Sequence, residues 1–184
     1  MSTILAMDLS KRSTGWALWS PEMSKPVSGT WSLGSELTSA GRSFLRLHQC
    51  MNDLYQIHPF EIVIYEEPLN LGPGAGVTNK DTIFALMGLA AHVDSYCEAK
   101  GVRKVRSVNQ SSWRRHFIGS MKRGTKTKQL KEYAMERCAQ LGFRPQKHDE
   151  AEAIGILSYM CAMENIIPSW EAHEILHQPL GSVA

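Results

Sequence analysis

The chain has 184 residues, 43% hydrophobic and 21% charged, with a net charge of +2 and a mean hydropathy of -0.24. That length accommodates one domain with a proper core, and the balance excludes disordered and fibrous classes. No apolar stretch approaches the roughly 20 residues that span a bilayer. Met1-Ser2-Thr3 runs directly into a strand pattern without the basic and apolar regions of a signal peptide, so a cytoplasmic protein with no membrane partner is expected. Cys50, Cys97, Cys138 and Cys161 are far apart, show no C-x-x-C pairing and read as reduced thiols within helices.

In chain order, Thr3–Asp8 reads as a short buried strand, Ser10–Thr14 as a polar turn and Gly15–Trp19 as the next strand. Pro21 and Pro26 bracket a loop before a third strand over Val27–Leu33; the three form an antiparallel meander. Phe44, Leu45, Leu47, Met51, Leu54, Tyr55 and Ile57 then recur at helical spacing, and Pro59 ends the helix. Glu61–Glu66 is a fourth strand whose Ile-Val-Ile run predicts burial on both faces. Asn70–Lys80 is a glycine-rich loop, and Asp81 is the expected N-cap of a helix through Ala99. Val102–Val108 is a fifth strand, followed by helices at about Gln110–Phe117, Thr127–Leu141 and Asp149–Glu164. The order β-β-β-α-β-α-β-α-α-α predicts an α/β domain with a five-stranded mixed sheet and helices on both faces, over residues 1–165, with 166–184 as a tail.

The charge is unevenly spread. From Lys100 to Lys131 there are eleven Lys or Arg residues and no Asp or Glu, so the rest of the chain is net acidic. A basic run interleaved with Trp113, His116 and Phe117 marks a polyanion partner, against the common fate of a charge run as a solvated face. Arg114, Arg115, Lys122, Arg123, Lys126 and Lys128 are the expected nucleic-acid contacts.

Acids end the apolar segments. Ile4–Met7 runs into Asp8, Ile62–Tyr65 into Glu66-Glu67, and Asp149 and Glu152 share one face at the start of the last helix. A carboxylate at the lip of a buried strand is costly unless a positive group sits beside it. Singly, each acid has an ordinary explanation as a turn, an ion pair or a cap. Together they suggest one site, with hard oxygen ligands suited to Mg²⁺ or Mn²⁺. Two such ions about 4 Å apart can activate water and stabilise a leaving oxygen in phosphodiester hydrolysis. Glu66 follows the apolar run directly and is preferred over Glu67, although strand alternation leaves that choice open.

Asp8-Leu9-Ser10-Lys11-Arg12-Ser13-Thr14-Gly15-Trp16-Ala17 resembles the first motif of RuvC-type Holliday junction resolvases, whose fold is ribonuclease H-like. Ile64-Tyr65-Glu66-Glu67-Pro68 is similar to the second motif, and His148-Asp149-Glu150-Ala151-Glu152-Ala153-Ile154-Gly155 to the third. The resemblance covers roughly residues 3–165. It implies an endodeoxyribonuclease that resolves Holliday junctions or other branched DNA, forks and flaps included, in recombination and repair. Asp8, Glu66, Asp149 and Glu152 would hold two Mg²⁺ ions, with Mn²⁺ substituting. Lys126 or Lys128 would supply a catalytic lysine; His148 reads equally as a group that orients water or phosphate and as a surface histidine at the helix start. It further implies a homodimer formed through the helix after the glycine-rich loop, in a bacterial or viral setting. Glu152 departs from the pattern, which usually ends its third motif in Asp.

Three rivals stand beside this reading. A non-catalytic branched-DNA-binding module of the same fold is one; sugar kinases and related ATPases also place an Asp after a first strand but need more length. His173-Glu174-Ile175-Leu176-His177 matches the H-E-x-x-H zinc protease pattern, but no His, Asp or Glu follows it to serve as a third ligand, and Pro179 ends any helix.

Overall fold

The computed structural model describes residues 2–68 and 80–172. Five strands form one sheet: β1 (Ile4–Asp8), β2 (Thr14–Trp19), β3 (Val27–Trp31), β4 (Ile62–Glu66) and β5 (Lys104–Val108), in the order β3-β2-β1-β4-β5. The meander β1-β2-β3 is antiparallel, whereas β1-β4 and β4-β5 are parallel, as expected from the helices that connect them. Helices α1 (Ala40–Ile57) and α2 (Lys80–Lys100) cover one face; α3 (Gln110–Ile118), α4 (Thr127–Gln140) and α5 (His148–Met163) cover the other. Among the described residues no helix is long and apolar enough to cross a membrane.

The central strand shows why the acids sit where they do. Ile4 and Ala6 pack into the core beneath α5, Leu5 and Met7 into the core beneath α1 and α2, and all four have no exposed surface. A strand buried on both faces must be apolar along its whole length. Asp8 keeps the parity of Ile4 and Ala6, and Glu66 keeps that of Ile62 and Ile64, so both belong to the α5 face. Met7 lies opposite Tyr65, and the next residues along these parallel strands are Asp8 and Glu66.

On that face α5 lies almost flat on the sheet, and every residue from Glu150 to Ser158 is buried. Its first turn is set down over Gly15, which pairs with Asp8 across β1-β2. A Cβ on Gly15 would stand 1.8 Å from the Asp149 carbonyl oxygen and 2.3 Å from its carbon, so no other residue fits without moving the helix. Glu150 turns away from the acids: it accepts hydrogen bonds from Ser28 Oγ (2.8 Å) and the Gln146 amide (2.7 Å), tying the helix entry to β3.

Details differ from the sequence expectations. Asp81 lies inside the first turn of α2, which begins at Lys80, and so does not cap it. The α5 helix opens at His148, with Lys147 at its N-cap making no side-chain cap bond. Beyond residue 165 the chain is still packed on this core: Trp170 is buried edge-on against Trp19 (centroids 5.2 Å) and Phe143 (5.4 Å). The glycine-rich Asn70–Lys80 segment, except for Lys80, and the His173–His177 motif lie outside the described residues.

Replacing Gly15 by Ala should lower unfolding stability by about 3 kcal/mol, because the clash is with backbone that cannot rotate away. Denaturant titration checks this; a loss below about 0.5 kcal/mol, the scatter of an ordinary surface substitution, would mean that the close approach is not needed.

Candidate metal centre at the strand ends

Carboxylate oxygens of Asp8, Asp149 and Glu152 lie within 4.8 Å of one another. Asp8 comes from the end of β1, and the other two from one face of the first α5 turns, three residues apart. Glu152 is almost wholly inside, its side chain 3% exposed, while that of Asp149 is 23% exposed. Two cations answer this charge. Arg114 pairs with Glu152 through Nη2, and Lys131 Nζ donates to Asp149 Oδ1 at 2.9 Å and lies 3.0 Å from Glu152 Oε2.

The electrostatics agree. Burial pushes the Asp8 carboxyl well above its ordinary range, and the fields of Glu152, Glu66 and Asp149 push it further, opposed by Lys131. Burial also raises Glu66, against hydrogen bonds from Trp113 and Gln110 that favour its charged form. For Lys131 burial works against the charge, yet the hydrogen bond to Asp149 and the field of Glu152 outweigh it and hold the ammonium above the usual lysine range.

Glu66 stands beside this group on a rigid mount. Its Oε1 accepts from Gln110 Nε2 at 2.8 Å and its Oε2 from Trp113 Nε1 at 2.7 Å. Both donors come from α3, on which Gln110, Trp113, Arg114 and Phe117 form a single stripe. A cleft of about 300 Å³ opens next to the acids, with Asp8, Glu66, Glu67, Asn109, Gln110 and Ser111 among its walls.

The chain matches no protein-family model, and no curated protein matches it in sequence. Solved structures match it in fold. Thermus thermophilus RuvC in complex with a Holliday junction substrate superposes with a TM-score of 0.65 at 12% identity, covering 91% of this chain and 99% of RuvC. The yeast mitochondrial Holliday junction resolvase Ydc2 gives 0.59 at 13% identity, covering 95% of this chain and 80% of its own. The fowlpox virus Holliday junction resolvase gives 0.53 at 13%, covering 88% and 99%. The fold is that of the RuvC-type resolvases.

Within this RuvC-type fold the structure brings Asp8, Asp149 and Glu152 together and sets Glu66 at their side, on the face of Asp8. Glu67 is exposed on the rim of the cleft. His148 is exposed at the first position of α5. Arg115, Lys122, Arg123, Lys126 and Lys128 are exposed, Lys126 at the N-cap of α4. Arg114 is a correction: expected on a DNA-facing surface, it is 7% exposed and paired inward with Glu152. The lysine at the acids is Lys131, which sequence reading passed over in favour of Lys126 and Lys128. Its signal was periodic: Lys131 extends by one turn the buried stripe of Ala134 and Cys138. Gln110 and the polar role of Trp113 were missed too, though both lie on the α3 stripe.

The raised carboxyl of Asp8 has a stability consequence. An acid whose folded value is raised contributes stability below its unfolded value of about 3.8, and that contribution is lost as pH rises through the folded value. In EDTA at pH 7, Asp8→Asn should therefore raise the melting temperature, by an amount that shrinks as the pH falls toward 4. Millimolar Mn²⁺ should stabilise the parent protein and not the variant. Thermal melts over this pH range, with and without metal, check both; a destabilised variant in EDTA at pH 7 would contradict the charge crowding.

Proposed function

We propose that the protein is a metal-dependent, structure-specific endodeoxyribonuclease that cuts phosphodiester bonds in branched DNA, four-way junctions foremost. The observation that carries this is the convergence of Asp8, Asp149 and Glu152 oxygens within 4.8 Å at the strand ends of a RuvC-type sheet. RuvC, a Holliday-junction-bound structure among the relatives in fold, lends the substrate class. The donor set fits hard divalent cations: all-carboxylate oxygen, partly excluded from water, and carrying more negative charge than Lys131 and Arg114 offset. Asp8, Asp149 and Glu152, with Glu66 beside them, would hold Mg²⁺ or Mn²⁺. When bound, such ions supply Lewis acidity that activates water and stabilises the leaving oxygen.

The chain's own residues do the rest. Gln110 and Trp113 fix the Glu66 carboxylate, and Arg114 fixes that of Glu152, so the acids are oriented before substrate arrives. Lys131, 30% exposed at its side chain, reaches the acids from the solvent side. It is the cation best placed to support charge on the reacting phosphate. His148 lies next to Asp149 at the solvent edge, where it can orient water or a phosphate oxygen. Lys122, Arg123, Lys126, Lys128 and Arg115 are exposed and would meet flanking phosphates. A homodimer through α1 and α2 would give two sites for two strands, and the exposure of Leu45 (59%), Phe84 (63%) and Met87 (51%) on those helices favours it. The free cysteines, three of them buried, suit a reducing cytoplasm.

With a synthetic four-way junction in Mg²⁺ or Mn²⁺, the parent protein should cleave and EDTA should stop it. Asp8→Asn should keep junction binding within about threefold while losing cleavage by at least about 10³, the order seen when an electrostatic catalytic group is removed. Cleavage by the variant at the parent rate would sink the proposal, and absence of cleavage by the parent on any branched DNA would leave the non-catalytic binding module.

Binding should also weaken steeply with salt. Replacing Lys122, Arg123, Lys126 and Lys128 together by Gln should flatten the log–log salt dependence by about 0.9 for each phosphate that is no longer neutralised. An unchanged slope would remove this segment from the interface.

A further inference from the structure

A second cavity, of about 380 Å³, shares Gln110 and Ser111 with the carboxylate cleft. It lies between α3, the Gly119–Met121 segment and α4, and Arg114, Arg115, Met121 and Leu130 also line it. Its chemistry is two-sided. Met121 and Leu130 supply hydrocarbon, while α3 supplies polar atoms at one edge. Gln110 gives its amide nitrogen to Glu66, which leaves its carbonyl oxygen to accept. Ser111 Oγ donates to Asn109 Oδ1 at 2.6 Å and keeps its lone pairs. Arg114 is committed to Glu152 through Nη2, yet its Nε–H is buried without an acceptor among the described residues. That Nε–H lies behind the cavity wall, so the polar edge open to a ligand is the Gln110 carbonyl and the Ser111 hydroxyl.

We propose that this cavity receives one unstacked nucleobase of the DNA strand, next to the phosphodiester held at the carboxylates. This deepens the nuclease reading and rests on it. A base has flat apolar faces for Met121 and Leu130 and edge donors for the Gln110 and Ser111 oxygens; a phosphate would lose its water against hydrocarbon and face those same acceptor oxygens. Arg115, exposed at the cavity wall, meets the backbone that must follow the base in. Extruding a base is least costly where pairing is already interrupted, which is the situation at a branch point. The pocket therefore couples recognition of the branch to placement of the cut. Because its polar edge belongs to the same helix that holds Glu66 and Glu152, a seated base bears directly on the geometry of the acids.

The test uses four-way junctions carrying 2-aminopurine or an abasic site at each nucleotide within three of the cut. Met121→Trp is the blocking variant: Met121 is 38% exposed in the connection between α3 and α4 and holds none of the acids, so the fold is kept while the cavity is filled. With the parent protein, 2-aminopurine should brighten on binding at one position. An abasic site there should slow cleavage about tenfold, in line with the loss of one stacked base. Met121→Trp should cut the intact junction about tenfold more slowly, ignore that abasic site and abolish the fluorescence change. Met121→Ala, which enlarges the cavity, should leave the fluorescence position unchanged. The proposal is overturned if no position brightens, or if Met121→Trp leaves both signals intact. The fluorescence arm is run in EDTA as well, so failure of cleavage alone counts against the nuclease reading and not against the pocket.

Discussion

Three carboxylates whose oxygens lie within 4.8 Å cannot all be ionised in a partly dry site without positive charge between them. Asp8 registers the conflict most directly, since burial and three like-charged neighbours all oppose its ionised form. The surrounding architecture is arranged around holding that conflict in place. Gly15 has no side chain because the first turn of α5 must come down onto β2 at that point. Glu150 is pulled toward Ser28 and the Gln146 amide, which fixes the helix entry and points Asp149 and Glu152 at Asp8. Removing the crowding would make the protein more stable and chemically inert, the usual tension between a functional site and the fold that carries it.

The α3 helix links that site to the core. Trp113 and Phe117 are buried beneath α5, with Gly155 giving them room: a Cβ there would stand 2.8 Å from the Trp113 ring. The same stripe carries the donors to Glu66 and the guanidinium on Glu152. Positioning of two acids thus draws on rigid packing rather than on loop conformation, which is what preorganised electrostatics require. The indole serves twice, as core filler through its rings and as a hydrogen-bond donor through Nε1.

The parts visible in the sequence were those written in local pattern. Apolar runs stopping at Asp8 and Glu66 gave the strand ends, and helices between later strands gave the parallel half of the sheet. The spacing of Asp149 and Glu152 gave a shared helical face. Arg114 and Lys131 were not legible in the same way. Within an acid-free run of eleven cations, each looks like a solvent-facing charge, because the carboxylates that draw two of them inward belong to other segments. Arg114 meets Glu152 across 38 residues of sequence and Lys131 meets Asp149 across 18. Only the periodicity of the buried stripes marks them, and a cation is ordinarily the last residue assigned to such a stripe. The expected cap at Asp81 failed for a smaller reason: α2 is already helical at Lys80, two residues ahead of the Thr82 start that such a cap implies, within the usual uncertainty of helix ends.

The two cations are not equivalent, and the difference bears on how a site built with Glu152 can work. Arg114 and Glu152 are enclosed together, with side chains 8% and 3% exposed, so separating them would strand a charge in the interior. That pair is permanent, and one oxygen of Glu152 is committed to it. Lys131 is 30% exposed and reaches Asp149 and the second Glu152 oxygen on a flexible stem, so an incoming divalent cation that takes over its neutralising charge can displace it toward solvent. The charge presented to an incoming cation is therefore adjustable in one step, from a lysine-neutralised cluster to one with Asp8, Asp149 and a single Glu152 oxygen released. The extra methylene of Glu152 suits this division, because its carboxylate can keep Arg114 on one side while still reaching the oxygens of Asp8 and Asp149 on the other.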